Sequence, residues 1–191
     1  MNYKKYFKKN NLITIEQFFK FMQNRFMYGW VDKDNNIFYG NNNPVDFSLQ
    51  RPIELFKSHV GNCWDMAELY RCFFKYMTSL KFETYYLFYD DNAGCPSHSI
   101  FAFYNNNKVY WFEPMFNDES YYYSGIHEFN NINELLQDAK KRFIDKSLIS
   151  DLISENYNNN NFYIYKYKKP KAHINGFQMR EHINKSILIN I

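Results

Sequence analysis

The sequence predicts an α+β domain, with helices first and a mostly antiparallel sheet after them. Two observations carry this. Apolar residues recur at three- and four-residue spacing up to about residue 79, and from residue 81 they give way to β-branched and aromatic runs bounded by turn residues. The order of the two patterns implies segregated helices and strands. At 191 residues the chain fits one domain over residues 1–191, with a core spanning about residues 14–170.

Thr14-Ile15-Glu16-Gln17 reads as a capping box, because the Thr14 hydroxyl and the Gln17 amide can serve first-turn donors. Phe18, Phe19, Phe21, Met22 and Phe26 then suit a helix to about Met27. The segment 28–44, "YGWVDKDNNIFYGNNNP", has the Gly, Asn and Asp of a loop or short hairpin. A short helix follows in "LQRPIELFKSHV", where Pro52 is tolerated in the first turn. From Cys63 to Ser79 the positions Met66, Leu69, Tyr70, Phe73, Phe74 and Met77 form one wide apolar stripe. "KFETYYLFYD", "HSIFAFY", "KVYWFE" and "FYIYKYK" are the strands. A third long helix, about Asn133 to Ser150, stands between the last two of them.

Composition narrows the function classes. Aromatics make up 21% of the chain, but Asn runs recur throughout, so the composition reflects an AT-rich coding bias more than a role. A net charge of +3, with lysines grouped at Lys4–Lys9 and Lys166–Lys171, marks solvated surface, and no nucleic-acid-binding motif accompanies it. No apolar run approaches the roughly 18 residues of a membrane helix, and no signal-peptide pattern opens the sequence. Three cysteines make no disulfide framework. The expectation is a cytoplasmic protein with free thiols, without nucleic-acid or membrane partners.

Cys63 follows Gly61-Asn62 and opens a helix. There the free N–H groups and the positive dipole end favour a thiolate. Cys72 falls inside the same helix and is expected to be packing. The base candidate is His98 at a strand start, and Glu113 ends the next strand. A two-residue turn at Asn105-Asn106 would oppose Ala102 to Val109, Ile100 to Trp111 and His98 to Glu113, on one face beneath the Cys63 helix. Opposed residues bring their Cβ atoms to about 4.5–5.5 Å. A thiol, an imidazole and an acid that orients the imidazole are the parts of nucleophilic catalysis. Cys95 and His98 alone, with no second ligand pair, do not make a metal site.

"GNCWDMAELYRCFF" followed by "HSIFAFYNNNKVYWFEP" resembles the transglutaminase-like branch of the papain-like cysteine enzymes over about residues 50–125. That branch has Gly-x-Cys at a helix start, His at a strand start and an acid, usually Asp, before Pro at the end of the next strand. Here Glu113 stands in the Asp position. "LQRPIELFKSHVGNCWD", "YWFEP" and "GIHEF" also resemble a group of bacterial and phage proteins. The resemblance implies a papain/transglutaminase-like fold with Cys63 as nucleophile, His98 as base and Glu113 as orienting acid. The Cys63 N–H would lie in the oxyanion hole, with Gln50 or Trp30 as the side-chain donor. Trp64 and His127 are substrate-binding candidates, and Asp65 complements the helix N-terminus. The implied activity is a cysteine hydrolase acting on amide bonds of a protein or peptide through an acyl-thioester, with no metal or cofactor. A transglutaminase-type acyl transferase is one alternative. An inactive host-factor-binding protein of a phage or mobile element is the other. The sequence leaves the oligomeric state open.

Overall fold

A computed structural model describes residues 2–40, 46–90, 95–114, 123–155 and 157–191. The elements in chain order are α1 (Tyr3–Lys9), α2 (Ile15–Arg25), β1 (Met27–Val31), β2 (Ile37–Tyr39), α3 (Pro52–Ser58), β3 (Val60–Gly61), α4 (Cys63–Met77) and β4 (Phe82–Tyr89). They continue with β5 (Ser97–Asn105), β6 (Lys108–Glu113), β7 (Gly125–Phe129), α5 (Ile132–Ile149), β8 (Phe162–Lys166), α6 (Gly176–Asn184) and β9 (Ile187–Ile189). The fold is α+β. Its main sheet has six strands in the order β7-β6-β5-β4-β8-β9, every neighbouring pair antiparallel, and a small sheet has the order β2-β1-β3. No helix among the described residues is long and apolar enough to cross a membrane.

Local chemistry explains the helices. Thr14 accepts from the Gln17 N–H at 3.2 Å and the Gln17 side chain accepts from the Thr14 N–H at 3.1 Å, which closes the expected capping box of α2. The 28–44 segment forms the β1–β2 hairpin, and residues 41–44 of that expectation lie outside the described residues. α3 and α4 start where expected, and α5 starts one residue earlier. α1, α6, β7 and β9 carried no sequence expectation.

The sheet is covered on both faces. On one, α4 presents Met66, Leu69, Tyr70, Phe73 and Phe74 to Phe101, Phe103 and Phe112, with Phe7, Phe18 and Met22 closing over them. Phe18 and Phe73 stack at 4.1 Å with planes 4° apart. On the other, Leu135, Leu136, Ala139 and Phe143 of α5 cover Tyr85, Leu87, Ile100, Ala102, Val109 and Trp111. A third cluster joins Phe47, Leu49, Trp64, Tyr86, Tyr167, Met179 and Ile183, and Cys63 borders it.

Two expectations for the β5–β6 hairpin are corrected. The turn is Asn106-Asn107, with φ of 47° and 60°, so Asn105 pairs with Lys108, Tyr104 with Val109 and Ala102 with Trp111. The chain chose the second Asn pair of a triplet in which any Asn tolerates positive φ. A slip of two residues keeps every side chain on its face. The face itself is the second correction: Ile100, Ala102, Val109 and Trp111 lie under α5, and α4 rests on Phe101, Phe103 and Phe112. Both sets are apolar because both faces of this sheet are buried.

Candidate active site

Three elements meet at the site. Cys63 is the first residue of α4. The Asn62 side chain caps that helix, accepting from the Trp64 N–H at 2.8 Å and the Asp65 N–H at 3.2 Å. Asp65 answers by accepting from the Asn62 N–H at 3.1 Å, and it also accepts from the Gln50 N–H at 2.8 Å. Burial pushes the Asp65 carboxyl up to about 7, against the opposing pull of its bonds with Gln50 and Asn62. Asp65 is thus fully buried beneath the helix start, serving backbone donors.

His98 and Glu113 reach this place because the hairpin parts. The β5–β6 ladder ends at Ala102–Trp111. Beyond that rung β5 stays paired with β4 down to Ser97, while β6 stays paired with β7 up to Glu113. His98 is therefore not directly opposite Glu113, yet its Nε2 lies 3.1 Å from Glu113 Oε2 across the gap. The two side chains are only 15% and 7% exposed, so this contact is poorly screened by water. The Cys63 side chain is the second group that acts on the His98 imidazole. Because Glu113 occupies Nε2, Nδ1 is the ring nitrogen left for the sulfur. Burial by itself would lower the imidazole. The Glu113 carboxylate and the Cys63 side chain outweigh it and push His98 up to about 9, so the ring is cationic at neutral pH.

The structure thus brings Cys63, His98 and Glu113 together. The other candidates are engaged differently. Gln50 donates from Nε2 to the Val60 carbonyl at 2.8 Å and accepts from Ser58 Oγ at 2.9 Å. Trp30 donates from Nε1 to the Gly40 carbonyl at 3.2 Å and sets its ring edge-on to Phe47 at 5.1 Å. Trp64 is buried between Phe47 and Tyr86, at 5.8 and 5.7 Å, and its Nε1 has no hydrogen-bond partner among the described residues. His127 stands on β7 and donates from Nε2 to the Tyr123 carbonyl at 2.9 Å. Cys72 is buried, which pushes its thiol up to about 12.

Sequence reasoning did not single out the tyrosines around this group. Burial, with Cys63 and Glu113 nearby adding to it, raises Tyr28 and Tyr70 well above the ordinary range, so both phenols are neutral. Tyr123 stacks on the His98 ring. Tyr70 had a readable signal, since seven residues after Cys63 it shares the same helix face. Tyr123 is the last of a Tyr triplet, and nothing in the sequence marks one of the three.

A comparison with protein-family models, curated proteins and solved structures finds no match for this chain.

Proposed function

We propose that the chain is a cysteine-dependent hydrolase of transglutaminase-like, papain-related type, acting on amide bonds of a protein or peptide. One observation carries this reading: a cysteine at a helix N-terminus shares a histidine with a buried glutamate. His98 takes and holds the Cys63 proton, and Glu113 fixes the ring tautomer and balances its charge. The sulfur then bonds to the amide carbon. The oxyanion that forms meets the Cys63 backbone N–H, which has no partner four residues back within α4. As the C–N bond breaks, the imidazolium gives its proton to the leaving nitrogen and an acyl-thioester remains. The neutral imidazole next takes a proton from water, whose oxygen displaces the sulfur and frees the acid.

Trapping the intermediate tests this. The protein is mixed with a pool of proteolytic peptides, quenched in acid and mapped by mass spectrometry. Acyl adducts on Cys63 that hydroxylamine removes, lost in Cys63→Ala and depleted in His98→Ala, are the expected result. Adducts spread over Cys63 and Cys95 alike and unaffected by His98→Ala would overturn the proposal.

A further inference from the structure

The Tyr123 ring lies flat on His98, with centroids 4.5 Å apart and planes 14° from parallel. Tyr123 is itself 4% exposed and held from several sides. Its carbonyl accepts from His127 Nε2 at 2.9 Å, its ring lies 5.7 Å from that of Trp111, and Lys146 Nζ of α5 stands over it at 5.0 Å. His127 in turn lies 5.6 Å from Trp111, its cross-strand partner. Between Tyr123 and His127, Gly125 takes φ +132°, and a Cβ there would meet the His127 ring at 3.1 Å. Only glycine lets the chain turn this closely over its own histidine.

Glu113 holds the Nε2 end of the His98 ring, which leaves Nδ1, across the ring, for Cys63. Such contacts fix the line through the ring but leave it free to tilt about that line. A flat neighbour removes this freedom, and an aromatic face also favours the cationic ring. We propose that Tyr123 is a positioning residue for His98, holding the imidazole plane between Glu113 and Cys63, and that His127 is the brace that holds Tyr123. The consequence for catalysis rests on the cysteine chemistry proposed above; the stacking does not.

The test follows the His98 ring by two-dimensional NMR through a pH titration, in the wild type, Tyr123→Phe, Tyr123→Leu and His127→Leu, with Cys63 alkylation measured in parallel. The titratable groups that act on His98 are Glu113 of β6 and Cys63 of α4, and none of these variants replaces them. The wild-type midpoint is expected at about 9. Tyr123→Phe keeps it, and Tyr123→Leu lowers it by about half to one pH unit, the loss expected for an aromatic face over a cation. Should Tyr123→Leu fail to fold, His127→Leu is expected to move the midpoint the same way by a smaller amount. An unchanged midpoint in the folded leucine variants, or a Phe variant that falls as far as Leu, would overturn the proposal. A midpoint that depends on the Tyr123 ring while wild-type Cys63 alkylates like an ordinary thiol would sustain the clamp and sink the cysteine chemistry.

Discussion

Replacing Glu113 by Gln keeps the side-chain volume and removes the charge that faces His98 Nε2 at 3.1 Å. The rise of His98 from 6.5 to about 9 occurs although burial acts the other way, so Glu113 and Cys63 supply more than the net effect. That rise corresponds to about 3 kcal/mol in favour of the charged ring. The sign follows from linkage. A folded value raised above the unfolded one gives stability that is fully present below about 6.5 and is lost as pH rises through about 9. Urea unfolding of the wild type between these pH values is expected to show a loss approaching 3 kcal/mol. In Glu113→Gln burial opposes only the Cys63 contribution, and less than half of that loss is expected. The comparison cancels groups that titrate alike in both proteins, among them Asp65 and Glu68, both at about 7, whose contributions fall mostly below the window. Equal losses in the two proteins would refute the coupling of Glu113 to His98.

Asp65→Ala strips the acceptor from the buried N–H groups of Gln50 and Asn62, and denaturant unfolding should report a loss of about 2–4 kcal/mol. Cys72, with its thiol at about 12, should resist iodoacetamide at pH 8 in the native protein, as peptide mapping would show, while Cys95 is exposed and should react. Phe73→Ala removes a ring stacked on Phe18 in the core beneath α4 and should cost about 3–5 kcal/mol in the same unfolding assay.

Much of the fold was legible because short-range chemistry decided it. Thr14 and Gln17 cap α2 as their spacing implies, and the apolar stripe of α4 is the stripe that packs. The parts that were not legible depended on comparing equals. Asn105, Asn106 and Asn107 accept positive φ alike, so the turn could not be placed within the triplet. Faces could not be assigned because β5 is buried on both sides, and Phe101 and Phe103 are as apolar as Ile100 and Ala102. β7 and β9 are short strands, and their edge positions are set by partners distant in the chain. At the site, the sequence order of Cys63, His98 and Glu113 pointed to the contact that forms. The register expected from the sequence differs by two residues from the one that forms, and the contact survives because β5 and β6 part where the side chains meet. His127 stood out as a lone histidine, but its hydrogen bond to Tyr123 arises from the turn at Gly125, which only the folded backbone reveals.

The proposed chemistry turns on the activation of Cys63 by His98. The rate constant for iodoacetamide at Cys63, measured by peptide mapping at about pH 6 against Cys95 in the same molecule, tests it most directly. Cys63 is expected to react at least about tenfold faster than Cys95 in the wild type and to lose that advantage in His98→Ala. Cys63 reacting no faster than Cys95, or equally fast without His98, would contradict it.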